Sequence, residues 1–294
     1  MCIRDRFSAS SGRASYTETE KGITVKANGR TFVFSKKDGQ LKDVSVNNRK
    51  ISFANGPRFI GARRADRSLD QFYNHDDEKA KAKDRTYSEF TDAAVFTKLD
   101  VKEEGGNLIL TANYKLGNLD KAQWTIHPDG MATLDYTYNF SGVVDLMGIC
   151  FDYPEEQVLS KRWLGAGPYR VWQNRIHGTQ YDIWENDYND PIPGETFTYP
   201  EFKGYFGSVS WMSIRTKEGT ISLTNETPDS YIGVYQPRDG RDRLLYTLPE
   251  SGISVLNVIP PVRNKVNSTD LCGPSSQPKW VDGSQTGRLV IRFE

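Results

Sequence analysis

The stretch Ala132-Thr133-Leu134-Asp135-Tyr136-Thr137-Tyr138-Asn139-Phe140 puts an apolar or aromatic side chain at every even position and a polar one at every odd position. Side chains alternate between the two faces of a strand, so this pattern predicts a half-buried strand with its even residues in a core. Working outward, the same period recurs in Ile23 to Ala27, Thr31 to Ser35 and Leu41 to Val46. Asn28-Gly29 and Asp38-Gly39 stand where tight hairpins need positive φ. Further strands are predicted over Leu108 to Tyr114, Ala122 to Ile126, Met147 to Phe151, Ser208 to Ile214, Thr220 to Leu223, Tyr231 to Tyr235, Ile253 to Val258 and Leu289 to Phe293. The one helix candidate, Asp76 to Asp84, has Lys and Ala but no apolar face, and reads as a solvated loop or short surface helix. Many short antiparallel strands with turn chemistry between them predict an all-β fold, a large β-sandwich or a barrel with functional loops at its rims.

At 294 residues the chain is long enough to bury roughly 75% of its unfolded surface. Its 38 basic and 38 acidic side chains cancel, which removes the long-range attraction that nucleic-acid and acidic-membrane binders use. Neither nucleic acid nor membrane is therefore expected as a partner. No apolar run reaches the roughly 18 to 20 residues that a spanning helix needs. Cys2, Cys150 and Cys272 form neither a metal-type spacing nor an even disulfide set and read as buried free thiols. His75, His127 and His177 are far apart, with no metal-type spacing around them, and Gly-x-Ser-x-Gly is absent. No catalytic residue, metal site or cofactor is assigned on these grounds. Residues 1 to 15, without an apolar leader core and rich in Ser, read as a disordered lead or non-native scar, and residues 16 to 294 as one sandwich domain.

Two segments break the rhythm, 54 to 90 and 165 to 206, and loops of such length usually bind or dock. The second opens with Trp163-Leu164-Gly165-Ala166-Gly167-Pro168-Tyr169-Arg170-Val171-Trp172-Gln173-Asn174-Arg175. A strand ending in Gly-x-Gly-Pro is expected to turn sharply, since Gly165 and Gly167 tolerate positive φ and Pro168 fixes the next φ. Tyr169, Arg170, Trp172, Asn174 and Arg175 would then project from a rim, offering the flat faces and donors that a sugar ring needs. On the competing reading the aromatic rings pack a sandwich edge and Arg175 braces a carbonyl or carboxylate. Downstream, Trp184 sits among the interleaved carboxylates and aromatics of Tyr181 to Asp190, which read either as a cleft lining or as solvated acids. Gly204 closes the turn Tyr199-Pro200-Glu201-Phe202-Lys203-Gly204. Arg58, Arg63, Arg64 and Arg67 could clamp a carboxylate or sulfate, or pair with Asp66 and Asp70.

The Trp163-Leu164-Gly165-Ala166-Gly167-Pro168 element, with Arg175 beyond it, resembles the signature of the C-terminal, small-chain domain of glycoside hydrolase family 2 β-galactosidases. The likeness runs in order over most of residues 16 to 294. The resemblance implies a galactose-mutarotase-like antiparallel supersandwich. It also implies that the acid and nucleophile glutamates stand on a separate (β/α)₈ barrel, leaving this chain catalytically silent. Its partners would be that barrel and an oligosaccharide or polysaccharide, and the parent enzyme would be periplasmic or secreted. The sequence departs from the family where Tyr169 to Asn174 replaces an x-Glu-Asn-Tyr-Pro-Asp run, and where the Arg-rich 58 to 67 segment replaces an Arg-Ala-Pro-x-Asp-Asn-Asp loop. These departures point to a related enzyme acting on another polysaccharide, anionic ones included. A free-standing carbohydrate-binding module and a mutarotase-like aldose epimerase are the alternatives.

Overall fold

The computed structural model describes residues 12–64, 87–189, 202–237, 247–262 and 273–294. The helix candidate at 76–84, Arg67, Asp66, Asp70, His75, Asp190, Tyr199, Pro200, Glu201, Cys2 and Cys272 lie outside the described residues, as does most of the 1–15 lead.

Two antiparallel sheets face each other. The first has the order β1 (Ser15–Glu18), β2 (Gly22–Ala27), β3 (Arg30–Ser35), β4 (Leu41–Val46), β6 (Ala54–Arg64), β12 (Leu146–Asp152), β19 (Ile253–Val258), β18 (Tyr231–Gly233) and β15 (Phe206–Gly207). On it, β5 (Arg49–Ile51) pairs with β4 and β7 (Tyr87–Glu89) with β6. The second has the order β14 (Gln180–Asp187), β13 (Val158–Gly167), β16 (Trp211–Thr216), β17 (Thr220–Asn225), β20 (Lys279–Phe293), β11 (Ala132–Val144), β10 (Leu119–Ile126), β9 (Asn107–Lys115) and β8 (Val95–Glu104). Among the described residues there is no α-helix, and no helix is long and apolar enough to cross a membrane. Of the sandwich or barrel predicted from alternation the antiparallel all-β sandwich is the fold, as the family resemblance implies.

The deciding stretch lies inside β11. Ala132, Leu134, Tyr136 and Tyr138 are buried, while Asp135 on the opposite face pairs with Arg288 across the ladder to β20, at 2.7 Å. Each buried side chain of this size contributes about 1.5–3 kcal/mol, so one register slip along β11 would expose the whole set. Asn28 and Gly29 take the left-handed φ values of 43° and 75° in the β2–β3 hairpin, as the dipeptide predicts. Asn47 and Asn48 do the same between β4 and β5, a turn the reading of Asn-Gly and Asp-Gly pairs passed over.

The main core lies between the sheets. A second one sits on the far face of the first sheet. Met147, Ile149 and Phe151 of β12 point into the main core, whereas Leu146 and Cys150 belong to the second with Ile60, Ala62 and Leu256. The strands β6 and β12 are thus covered on both sides, which explains why Ala54–Arg64 lacks alternation and reads as loop in the sequence.

Cys150 is a free buried thiol, with the Arg58 guanidinium 3.7 Å from its sulfur. Burial pushes its pKa up to about 11, only partly opposed by Arg58. The neutral thiol is therefore favoured in the folded chain. That contribution to stability is whole below the ordinary value of 9.0 and is lost as pH rises through about 11. Iodoacetamide at about pH 8 is expected to leave the Cys150 peptide unmodified in the native chain and to alkylate it in denaturant, as read by mass spectrometry. Native-state labelling at the denatured rate would show that the second core is open.

Candidate functional site

The Gly-x-Gly-Pro element forms the end of β13 and of its ladder to β14. Trp163 is fully buried, donates its indole N–H to the Ala166 carbonyl at 3.0 Å, and meets Phe206 edge-on at 5.0 Å. Neither Gly165 nor Gly167 has a positive φ, so the expected left-handed turn is corrected. Both glycines are called for by close approach. A methyl on Gly167 would collide with the indole of Trp184, and one on Gly165 would lie 3.0 Å from the Gly207 carbonyl oxygen and the Val209 Cα. Trp184 lies on this glycine seat, half-buried, with its indole N–H donated to the Gln180 carbonyl at 3.2 Å. The residues around it, read as loop, form the edge strand β14.

Beyond Pro168 the chain leaves the second sheet and lies over the far face of the first. Val171 exchanges backbone hydrogen bonds with Tyr205 at 2.7 and 2.8 Å. Trp172 is fully buried in the second core, edge-on to Tyr205 at 5.8 Å, and Gly204 is buried beneath it. The rim position expected for Trp172 is therefore corrected: its indole covers β6 and β12 and presents no face to a ligand. Asn174 is likewise committed. Its amide donates to the Val262 carbonyl at 3.0 Å and its oxygen accepts the Val262 N–H at 2.9 Å.

Arg170 is buried as well, with its guanidinium 5.0 Å from the Tyr235 ring centroid and one N–H donated to the Asn189 side chain at 2.5 Å. Its Nε and Nη1 have no hydrogen-bond partner among the described residues. Burial lowers its pKa to about 10 against the opposing pull of Tyr235 and Glu155. Lys161 lies 5.2 Å from the same Tyr235 ring, so the ring sits near two buried cations. Tyr169 is half-buried against Phe202. Arg175 is exposed, the one signature candidate that is. Arg63 and Arg64 end β6 in the first sheet; Arg64 is buried, with its backbone N–H on the Asp145 carboxylate at 2.8 Å.

The concavity of this region lies beside the signature rather than on it. A cleft of about 450 Å³ opens between the end of β13, the β15–β16 connection and the β17–β18 connection. Ala166, Val171 and Gly207 line it with small apolar surface, and Ser208, Asp229 and Tyr231 with polar groups. Sequence reasoning missed these last three. Ser208 comes from the β15–β16 connection and Asp229 and Tyr231 from the segment leading into β18, which only the fold brings together, and no local motif marks them. A smaller hollow of about 220 Å³ on the second sheet holds His127, Thr133 and Arg288, where the His127 Nε2 lies 2.9 Å from the Thr133 hydroxyl. Burial lowers the His127 pKa and favours the neutral ring. Among the described residues no group of three or more His, Cys, Asp or Glu side chains is placed to hold a metal ion.

Solved structures similar to the chain include a galactose 1-epimerase from Lactobacillus acidophilus, 10% identical, covering 97% of this chain and 99% of that one with a TM-score of 0.45. An aldose epimerase homologue from C. elegans is 9% identical, over 96% and 99% of the two chains, with a TM-score of 0.44. A galactose mutarotase-like protein from Lactobacillus casei is 10% identical, over 96% and 100%, with a TM-score of 0.38. No curated protein matches. The family described as beta galactosidase small chain matches residues 26–257, a span that runs from the end of β2 into β19 and takes in the buried Trp163 signature and the segment laid over the second core. The chain belongs to the β-galactosidase small-chain family.

Proposed function

We propose that this chain is the non-catalytic small-chain domain of a larger glycoside hydrolase of family 2. It would buttress a (β/α)₈ barrel that carries the acid and nucleophile carboxylates, and its sandwich would form one wall of the carbohydrate cleft. The observation that carries this reading is the family match over residues 26–257. The use of the signature supports it: Trp163, Gly165, Gly167 and Trp172 serve the packing of a structural domain. The surface left to touch carbohydrate comprises Arg175, Tyr169 and the cleft beside them, groups that orient a substrate rather than break its bond.

The test is hydrolysis of a chromogenic β-galactoside and of a panel of other glycosides. The purified chain is expected to release no chromophore above buffer, and the chain mixed with its barrel-bearing large chain to release it at a rate that the large chain alone does not reach. Turnover by the chain alone would overturn the reading. So would a large chain whose activity and assembly are indifferent to this one.

A further inference from the structure

The strands that end the two sheets are finished differently. In the first sheet β15 is two residues long and β1 four, so each offers a further strand little to pair with. In the second sheet β8 alternates cations and acids that pair along the strand, Lys98 with Asp100 at 2.7 Å and Lys102 with Glu104 at 2.6 Å. Charges set along an edge in this way discourage another strand from joining it. On β14 neither device is present. It runs for eight residues, pairs among the described residues with β13 alone, and leaves Tyr181 59% and Ile183 48% exposed.

The apolar residues of β14 continue onto the sheet. Ile183 lies opposite Leu164 of β13, Leu164 opposite Trp211 of β16, and Tyr181 opposite Ala166. Residues opposite one another in an antiparallel ladder share a face. Their chain neighbours Trp163 and Met212 are buried in the main core, so this row lies on the outer face of the second sheet, with Leu164 and Trp211 half-buried. An uncovered apolar surface of this kind marks a place where another chain docks. The charge of the strand sets the kind of chain. Asp182, Glu185 and Asp187 are exposed, and no Lys or Arg stands on β14. Arg162 of β13 is 3.9 Å from Glu185, a long contact between two exposed groups that offsets little of this charge. A second copy joined edge to edge would set these acids against their own counterparts, with no cation on either strand. A segment with Lys or Arg opposite the acids and apolar side chains opposite Tyr181 and Ile183 is complementary on both counts.

We infer that β14 is a docking strand, to which an extended, basic segment of the large chain adds as the next strand of the second sheet. The inference rests on the proposed function for the identity of that chain, and deepens it by naming the surface and the chemistry of the segment. In the separate chain the Asp182 carboxylate holds the Ile183 N–H at 2.7 Å. Docking exchanges that local bond, so the donor turns to the partner's backbone and the acid to its cation.

Calorimetric titration of the full chain into the large chain tests it, with a peptide of alternating Lys and Val and its Glu and Val counterpart as separate probes. The double variant Glu185→Lys with Asp187→Lys is expected to weaken assembly by about tenfold or more, and Ile183→Thr by about threefold. Thermal midpoints are expected to stay unchanged, because all three residues are exposed. Assembly is expected to weaken between about 50 and 500 mM NaCl and to slow amide exchange across Gln180–Asp187. The Lys and Val peptide is expected to bind there and the Glu and Val peptide to fail. Asp100→Lys on β8, the opposite edge, is expected to leave assembly as it is. Assembly indifferent to the β14 variants, without protection of Gln180–Asp187, overturns the docking strand and leaves the proposed function. A dimer of this chain alone that the β14 variants break overturns it too, since a second copy is then the occupant. If the large chain neither binds nor gains activity while the Lys and Val peptide protects β14, the proposed function falls and the strand's preference for a basic segment stands.

Discussion

Replacing Trp124 with Ala is expected to lower the stability of the chain by about 3–5 kcal/mol, the range for removing a large aromatic side chain from a packed core. Trp124 is 1% exposed on β10 of the second sheet. Its ring meets Phe34 of β3 edge-on at 5.9 Å and Phe151 of β12 at 6.0 Å, both in the first sheet. Phe151 stacks on Phe53 at 4.5 Å, and Phe53 reaches Phe293 of β20 at 5.3 Å. A connected row of rings therefore crosses between the two layers, and the rings that Trp124 meets among the described residues both lie in the opposite sheet. Its indole N–H has no hydrogen-bond partner among the described residues, so part of the tryptophan's burial is offset by a desolvated donor. Trp124→Phe keeps most of the ring and removes that donor, and should cost about 1 kcal/mol or less on the same grounds. Urea unfolding measures both, as midpoint shifts at constant slope. If Ala and Phe at this position were equally harmful, or Ala harmless, the row of rings would not be what joins the sheets.

How far the sequence disclosed this arrangement depends on what covers each face. Leu41–Val46 was legible to the residue because Leu41, Val44 and Val46 face the core while Lys42 and Asp43 do not. Ile253–Val258 was legible for another reason, a short run of apolar, β-branched residues bounded by Gly252 and Pro260. Ala54–Arg64 was not legible, since its far side lies under the second core and its alternation is erased. Gln180–Asp187 was missed for the opposite reason. As the edge strand of the second sheet it leaves Tyr181 and Ile183 exposed, and apart from Trp184 and Asn186 little burial shapes its sequence. Trp172 shows a further limit. An indole with an N–H fits a ligand rim or a core equally well, and only the distant segments bearing Tyr205, Leu248 and Ile259 decide that it is core. The cleft was beyond reach on the same account, because Ser208, Asp229 and Tyr231 carry no signal until two distant connections meet beside the end of β13.

Gly204→Ala is expected to be the most damaging single-methyl change near the signature, at about 3 kcal/mol, the upper end for forcing extra volume into a packed site. Gly204 has no positive φ, so conformational freedom does not explain it. A methyl there would collide with the Val171 carbonyl oxygen and stand 3.0 Å from the Trp172 Nε1. The obstacle is main chain, and it cannot easily yield, because Val171 and Tyr205 hold each other by two backbone hydrogen bonds of 2.7 and 2.8 Å. Relief would require lifting the segment that carries Trp172 off the far face of the first sheet, opening the second core around Leu146 and Cys150. The predicted signature is a lowered unfolding midpoint together with Cys150 alkylated under native conditions. Gly207→Ala is the control. Its added methyl would meet the Val171 Cγ2 at 3.2 Å, the end of a side chain that can shift by a few tenths of an ångström, and should cost about 1 kcal/mol or less. If the two variants behaved alike, with Cys150 protected in both, the second core would not depend on the segment after Pro168. The family signature would then have to be explained by contacts with another chain rather than by the packing of this one.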